Sequence, residues 1–522
     1  MTKLSTYLLF GLLPNLISCA TPQAPAEQGH WIKGDMHIHT ALSADAKSSL
    51  SQVLSAGFEQ FDLDYMAISN HLRNNSRDNF GRENIHLLFS DAIATYELPE
   101  LQGMQKNFAN KLIISSFEWD APTHEHMNIG KLSFGDDFEQ TLEFTRYFEY
   151  RFGAKNTLHD FPAEVIEAFE KQGVPRQNRT HQDAISALSW LQQHHRDSSY
   201  ATLNHPTRYA TSYKISDIRE FNDAAPDVLF LVEGMVGNQF NGERGDYSSA
   251  SRSGLLGGTD PFVAELGGNW DALLGEGRHL WTIANSDHHF KISLPYSSGY
   301  FPGEYAKTYV WLPENSQQPL QKKAWLQALK SGNSFSVFGD LINALDFHIS
   351  SKTNKATMGQ SLTIQPQQRI EITIRFKQPG HNNQETQVGN GRYEGTVPKL
   401  HHIDLIAGDL GEKAQPETPA YNQPYNPTTK VIHSFTAEEW QLDSEGYYVM
   451  HFTMTATRAQ YFRLRGTNLD YNEKGLTIDG EPQPSAVIKL DNTGGRAYYQ
   501  RINERNYKDL WFYSNPIFTR LE

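Results

Sequence analysis

Between about residues 31 and 313 the chain repeats one pattern, in which a short apolar, β-branched run ends abruptly in polar residues. Helical or irregular stretches separate the runs, and 50–61, 181–194 and 215–222 have the spacing of amphipathic helices. Strands that alternate with helices predict parallel pairing and an α/β fold. Seven such units predict a barrel-like sheet with its chemistry at the carboxyl ends of the strands. The seven runs lie at 31–36, 65–69, 112–117, 127–130, 200–203, 228–232 and 280–284.

The pattern changes after a last helical segment at 320–331. The later runs alternate between apolar and polar residues, with Gly, Pro, Asn and Asp clusters between them, which predicts an antiparallel β-sandwich. These runs lie at 344–349, 370–376, 403–406, 447–455, 461–465 and 510–518. We therefore expect a barrel over 31–340 and a β-sandwich over 341–522. The stretch 408–427 contains four prolines and is interpreted as a loop.

Composition narrows the class of protein. At about 150 residues per domain, 522 residues predict two to four domains. The 46 basic and 60 acidic residues give a net charge of −14 without long blocks of either sign, which argues against a surface for polymeric nucleic acid. A mean hydropathy of −0.57 excludes a polytopic membrane protein.

The N-terminus carries an export pattern. Lys3 precedes an apolar run at 7–17, which at about 11 residues is shorter than the roughly 20 that span a bilayer as a helix. A basic start and a short apolar run are typical of a secretory signal. The run leads into Leu-Ile-Ser-Cys, ending at Cys19, which resembles a bacterial lipobox, where the cysteine is lipidated. An ordinary signal peptide is the alternative.

The lipobox predicts a signal peptide over 1–18 and a flexible tether, rich in Ala, Pro and Gln, over 19–30. Membrane contact is then expected through the lipid on Cys19 alone. Because Ala20 rather than an aspartate follows the cysteine, we expect the outer membrane of a bacterial cell envelope, facing the periplasm.

Polar residues with metal-binding chemistry follow the predicted barrel strands. Cys19 is the only cysteine, so any metal must be held by His, Asp or Glu. Residues two apart in a strand share a face, and the carboxyl ends of neighbouring strands meet at one rim. Each residue alone is ordinary, but together they predict a multinuclear metal site. They are His37, His39, Asp45, His71, Glu118, His126, His205, Asp287 and His289.

This order of His-x-His, Asp, His, Glu, His, His-Pro and Asp-x-His resembles the polymerase-and-histidinol-phosphatase (PHP) superfamily. The lipobox, the β-rich C-terminus and Trp270-Asp271…Gly277-Arg278 resemble its CehA/McbA-like group. The resemblance implies a distorted (βα)7 barrel of PHP type and three ligand sets: His37, His39, Glu118 and Asp287; bridging Glu118 with His126 and His205; Asp45, His71 and His289. The family's Thr-Asp-His is Ser-Asn-His here, so Asn70 removes a charge beside the third set.

The ligand types suit two or three divalent ions of Zn, Mn or Fe. Such a centre lowers the pKa of a bridging water, so we expect a metal-bridging hydroxide to hydrolyse a small phosphate mono- or diester, with Glu118 as the bridge. His124 either protonates the leaving oxygen or is only a neighbour of the site. Arg73 and Arg208 either bind the phosphate or are ordinary exposed arginines. The Gly- and Asn-rich stretch 234–247 is interpreted as a substrate-shaping loop.

Two other functions stay open from the sequence. The same metal centre could hydrolyse a carbamate, ester or amide, because the same hydroxide attacks carbon or phosphorus. Alternatively, the protein could be a non-catalytic surface lipoprotein whose aromatic-rich sandwich binds glycans. The competing interpretation of those aromatics is that they fill the core of the sandwich.

Overall fold

The structure, a computed structural model, describes residues 28–133, 138–209, 213–247, 254–290, 300–314, 320–383, 395–491 and 495–522. The predicted signal peptide, the lipidation site Cys19 and most of the tether lie outside the described residues and stay predictions. Within the described ranges, no helix combines the length and the apolar character needed to cross a bilayer.

All seven apolar runs predicted in the first part of the chain form strands. Six of them are almost wholly buried, which explains their continuous apolar character. The strands of this part are β1 (Gly29–Ile38), β2 (Tyr65–Ile68), β3 (Asn75–Arg77), β4 (Glu83–Leu87), β5 (Leu112–Asp120), β6 (His126–Lys131), β7 (Ser199–Leu203), β8 (Leu229–Met235), β9 (Trp281–Ala284), β10 (Ala306–Pro313) and β11 (Ser334–Phe338).

These strands form a mixed sheet in the order β10-β1-β2-β5-β6-β7-β8-β9. The expectation of parallel pairing throughout is wrong for β6, which runs antiparallel to both β5 and β7. Only residues 121–125 separate β5 from β6, too few for the crossover that a parallel pair requires. At the carboxyl ends, β1 meets the chain after β9 through a parallel bridge between Ile38 and His288. The ends of β1, β2, β5, β7, β8 and β9 and the start of β6 therefore share one rim.

Helices lie between the strands and bury one face each. In α6, for example, Ala184, Leu188 and Leu191 recur at helical spacing and are buried, and a capping box between Thr180 and Asp183 starts the helix. The helices are α1 (Leu50–Ser55), α2 (Phe89–Ala92), α3 (Leu98–Asn107), α4 (Glu139–Phe152), α5 (Ala163–Lys171), α6 (His181–His195), α7 (Ile215–Ala224), α8 (Pro261–Ala264), α9 (Asn269–Gly275), α10 (Lys322–Ser331) and α11 (Gly495–Lys508).

The later strands pair mainly antiparallel, in two sheets. They are β12 (Ala344–Ser350), β13 (Lys355–Thr357), β14 (Ser361–Ile364), β15 (Arg369–Lys377), β16 (His402–Asp409), β17 (Lys430–Thr436), β18 (Gln441–Leu442), β19 (Tyr448–Thr455), β20 (Gln460–Thr467), β21 (Thr477–Ile478), β22 (Glu481–Pro482), β23 (Trp511–Ser514) and β24 (Ile517–Leu521). One sheet has the order β13-β12-β15-β19-β18. In the other, β11 joins β10 to β23, so hydrogen bonding continues from the strands before residue 340 to those after it.

A buried ion pair also joins the two parts of the chain. Asp271 on α9 accepts from Arg463 on β20 at 2.8 and 2.6 Å, and both side chains are 0% exposed. Tyr461 also donates to Asp271, and the Arg463 guanidinium lies 5.1 Å from the Trp270 ring centroid. The carboxylate that the sequence singled out therefore has its partner in the C-terminal part.

Changing Arg463 to methionine should lower the free energy of unfolding by about 3–5 kcal/mol, because Asp271 would be left as an unpaired buried charge. Urea unfolding followed by fluorescence measures this loss. The double variant Asp271→Leu/Arg463→Met should recover part of it, since it buries no charge. A loss in the single variant below about 1 kcal/mol, the range of a surface pair, would contradict this account.

Candidate metal centre

The structure brings the nine predicted ligands together at the shared rim. His37 and His39 end β1, His71 follows β2, Glu118 lies near the end of β5, and His126 begins β6. The remaining four lie on connections between elements: Asp45, His205, Asp287 and His289. Neighbouring members approach one another to between 2.9 and 3.6 Å through ligand atoms.

Glu118 is the centre of this group. Its carboxylate is 1% exposed and lies within 3.4 Å of five imidazoles. The distances are 3.1 Å to His37, 3.4 Å to His39, 2.9 Å to His71, 2.9 Å to His126 and 3.4 Å to His205. A carboxylate so placed can offer one oxygen to each of two cations.

Two further carboxylates complete the cluster. Asp287 Oδ1 lies 3.1 Å from His37 Nε2 and 3.3 Å from His289 Nδ1, and its side chain is 2% exposed. Asp45 lies 3.6 Å from His71 and 3.4 Å from His289, and its side chain is 43% exposed. The cluster is therefore buried at Asp287 and open to solvent at Asp45.

The contacts within the cluster suit cations better than hydrogen bonds. Nε2 of His37 and Nε2 of His39 lie 3.2 Å apart. Within the described residues, Nδ1 of His71, Nδ1 of His126 and both ring nitrogens of His205 are buried and form no hydrogen bond. Five sets of three residues place their ligand atoms within 4.8 Å of one another. A donor set of imidazole nitrogens and carboxylate oxygens fits divalent metal ions.

The same close contacts shift the pKa values of the cluster residues in the protein without metal. Burial alone raises the pKa of Glu118, but His126, His37 and His71 outweigh it and hold that pKa well below its usual range. Burial lowers the pKa of His39 to about 4, helped by repulsion from His289 and His71. Glu118 is thus held ionised and His39 neutral, the forms in which they bind metals. At His126 and His289, in contrast, burial is outweighed by the neighbouring carboxylates, which raise the pKa of His126 to about 10 and that of His289 to about 9.

Acids outside the predicted set orient the imidazoles, and sequence reasoning missed them. Glu233, at the end of β8, lies 3.0 Å from His37 Nδ1, accepts from the His205 backbone N–H at 3.0 Å, and is 0% exposed. Asp120 lies 3.3 Å from His126 Nε2. Glu233 follows the one apolar run to which no ligand was assigned, so its position at a strand end was an available signal.

Changing Glu233 to glutamine should weaken the affinity for metal about 10–100-fold, because the amide no longer holds the Nδ1 proton of His37 so firmly. Titration of the metal-free protein with Zn²⁺ and a competing chelator measures this. Glu167, an exposed residue of α5, offers a control through Glu167→Gln. Equal affinities for the wild type and Glu233→Gln would contradict an orienting role.

The side chain of Asn70, where the sequence departs from the pattern of the family it resembles, bonds to residues outside the nine candidate ligands and is linked to His39 through the Ser43 hydroxyl, 3.0 Å from His39 Nδ1. Its amide nitrogen donates to Glu97 at 2.9 Å, and its oxygen accepts from Thr40 N–H at 2.8 Å and from the Ser43 hydroxyl at 2.9 Å. Glu97 is 1% exposed and also accepts from the Ser115 hydroxyl. An aspartate at position 70 would face this carboxylate, so Asn70 and Glu97 form a matched pair.

Burial raises the pKa of Glu97 to about 7, above its ordinary value of 4.5. The folded state therefore holds this proton more tightly than the unfolded state. Stability from Glu97 is fully present below pH 4.5 and is lost as the pH rises to about 7, by about 3 kcal/mol in total. Urea unfolding of metal-free protein at pH 5 and pH 8 measures the loss, which Glu97→Gln should remove. The same pH dependence in both proteins would contradict this assignment.

The structure places the two candidate arginines differently. Arg208 is 7% exposed, and its Nη2 donates to Asp287 at 3.1 Å, while its buried Nε has no hydrogen-bond partner in the part of the chain that the structure describes. Arg73 donates twice to Asp120, at 2.7 and 2.6 Å, and its side chain is 37% exposed. Arg208 is thus a buried cation with an unused donor beside the cluster. Arg73, in contrast, already donates two hydrogen bonds to Asp120.

His124, two residues before His126, contacts residues of α6 and α7 and the segment before α7. Its Nε2 lies 2.8 Å from His181 Nδ1, and its ring stacks on Tyr213 with centroids 5.3 Å apart. His181 in turn reaches Glu220 at 2.9 Å. In this conformation the ring belongs to a chain of polar contacts along α6 and α7, and its predicted role as acid stays a prediction.

Comparisons with known proteins give little beyond this geometry. No protein-family model and no curated protein matches the chain. Among solved structures, a two-domain protein from Bacteroides vulgatus that contains a predicted PHP-like metal-dependent phosphoesterase aligns over 88% of this chain and 96% of its own, with 11% identity and a TM-score of 0.33.

Proposed function

We propose that the protein is a metal-dependent hydrolase that cleaves a phosphate ester at the Glu118 cluster. The observation that carries the proposal is the buried carboxylate of Glu118 within 3.4 Å of five imidazoles. Two or more divalent ions bound there would supply Lewis acidity and lower the pKa of a water towards neutrality.

The protein's own residues would bind and orient the substrate. Arg208 would donate to a phosphate oxygen through its free Nε, since Nη2 already donates to Asp287. The substrate would enter from the solvent side, where Asp45 is 43% exposed and His126 is 18% exposed. The buried side at His37 and Asp287 would keep water from the orienting acids.

A buried arginine beside the cluster favours an anionic substrate over a neutral carbamate, ester or amide. A neutral substrate would offer the Arg208 Nε–H only an uncharged carbonyl oxygen, whereas a phosphate offers a charged oxygen. A hydrogen bond between a guanidinium and an anionic oxygen is the stronger, charge-assisted kind. A phosphate ester is therefore favoured over a neutral carbonyl substrate.

The proposal is tested with metal-free protein reloaded separately with Zn²⁺, Mn²⁺ or Fe²⁺. Nitrophenyl phosphate, bis-nitrophenyl phosphate and nitrophenyl acetate are assayed in parallel, with Glu118→Gln as the control for contaminating enzymes. We expect metal-dependent release of nitrophenol from at least one phosphate substrate and none above the Glu118→Gln background from the acetate. Turnover of the acetate alone would overturn the proposal in favour of a carbonyl hydrolase. Turnover of none by metal-loaded protein would favour a binding protein.

A further inference from the structure

The loop after β8 forms one wall of the cluster; we call residues 236–247 the site loop. Its Asn238 donates a hydrogen bond from the side-chain amide to Asp287, and its backbone N–H donates to the Ser286 carbonyl at 3.0 Å. Gly237 passes so close to Ser286 and Asp287 that any side chain there would collide with them. The position of the site loop therefore fixes the carboxylate that contacts His37.

The other side of the site loop is held by α11, from the C-terminal part of the chain. Arg505 is partly buried and donates to the carbonyls of Gln239, Asn241 and Gly242 at 3.1, 2.9 and 2.9 Å. The neighbouring Asn506 donates to the Gln239 carbonyl at 2.9 Å. One guanidinium and one amide thus donate to three carbonyls within residues 239–242, a segment without helix or strand pairing of its own there; the Gly242 carbonyl also accepts from the Ile488 N–H at 3.0 Å.

Further contacts continue this attachment along the loop. Arg244 forms a buried ion pair with Asp509 at 2.6 Å, one residue beyond α11. The Phe240 ring packs edge-on against Tyr300, with centroids 5.0 Å apart. It also packs against the Tyr499 ring of α11, with centroids 6.0 Å apart. The loop is therefore anchored to the C-terminal part by charge, hydrogen bonds and ring packing.

We propose that Arg505 and Asn506 are positioning residues that hold the site loop, so that the C-terminal part of the chain completes the active site. Arg505 donates only to neutral acceptors in the described part of the chain, namely carbonyls and the Asn506 amide oxygen. It therefore acts on the loop as a multiple donor, not as half of an ion pair.

The physical basis is the free-energy cost of leaving the carbonyls of the site loop without hydrogen-bond donors. A buried carbonyl that loses its donor costs free energy unless the segment moves to water. Without Arg505, the site loop would open more often, Asn238 would leave Asp287, and that carboxylate would gain freedom. The effect on catalysis should pass through Asn238 and leave the remaining ligands in place.

The experiment compares Arg505→Met and Arg505→Lys in the full chain with the matched control Arg501→Met. Arg501 lies one turn earlier on α11 and donates to Asp491 and the Lys489 carbonyl rather than to the site loop. Hydrogen exchange of a peptide covering 238–247 is measured by mass spectrometry in metal-free and Mn²⁺-loaded protein. The kcat measurement described next rests on the proposed function, whereas the hydrogen-exchange measurement does not.

We expect Arg505→Met to speed exchange in the site loop at least tenfold and to lower kcat for the best nitrophenyl phosphate substrate at least tenfold. Arg505→Lys should lie between this variant and the wild type, and Arg501→Met should stay within twofold of the wild type. If Arg505→Met does not fold, Asn506→Ala, which removes one donor, takes its place with a smaller effect of the same sign.

A double-variant cycle separates positioning from general destabilisation. In an Asn238→Ala background, Arg505→Met should lower kcat less than twofold further, because the contact it protects is already gone. Equal losses of kcat in both backgrounds would overturn the proposal, as would unchanged exchange in 238–247. If the wild type hydrolyses no phosphate ester, the proposed function fails while exchange still decides this inference.

Discussion

Replacing Glu118 by glutamine should lower kcat for phosphate ester hydrolysis by on the order of 10³-fold, equivalent to about 4 kcal/mol of transition-state stabilisation. The carboxylate has two acceptor oxygens and a negative charge, and five imidazoles converge on it. Glutamine keeps the shape but loses the charge and one acceptor, so it cannot offer an oxygen to each of two cations. Metal content, measured by mass spectrometry after gel filtration, should fall together with the rate.

The matched control is Glu167→Gln, an exposed glutamate on α5 far along the chain from the ligands. It should change neither metal content nor rate by more than twofold. If Glu118→Gln kept full metal content and an undiminished rate, the cluster would not be the active site.

Replacing Arg208 by methionine should lower kcat/KM for phosphate substrates about 100-fold, or by about 3 kcal/mol, while metal content stays within twofold of the wild type. Arg208 is buried against Asp287 and keeps an unused donor at Nε. A buried guanidinium that binds a phosphate oxygen contributes a charge-assisted hydrogen bond, the strong kind. Arg208→Lys keeps the charge but not the fork, and it should recover only part of the loss.

Steady-state kinetics on nitrophenyl phosphate and bis-nitrophenyl phosphate measure this effect, with Arg196→Met as the control at an arginine that is 61% exposed. A change of less than threefold for Arg208→Met would show that this arginine does not contact the substrate. The favoured anionic substrate class would then lose its main support.

The sequence predicted that the nine candidate ligands lie together, because their positions follow a local rule. A polar residue that ends an apolar strand lies at the rim of the sheet, and His37, Glu118 and His205 could be read in that way. The hairpin of β5 and β6 was misread as two parallel strands, although the short connection between them excludes a crossover. The number of residues between the two apolar runs was the signal that should have predicted an antiparallel pair.

Contacts between distant residues could not be predicted in the same way. Glu233 orients His37 from 196 positions further along the chain, and Arg505 reaches Asn241 across 264 positions. Neither contact produces a periodic pattern of residues in the sequence, because each depends on how whole strands and helices pack. The predicted boundary near 340 likewise gave no indication that α11 contacts the site loop.

The most direct test of the central claim is anomalous diffraction from crystals of the protein loaded with Mn²⁺ or Zn²⁺. The account predicts two or more anomalous peaks, each about 2.0–2.3 Å from a Glu118 oxygen or from the imidazoles and carboxylates around it. Saturating metal with no peak at these residues, or with peaks only elsewhere on the protein, would contradict it.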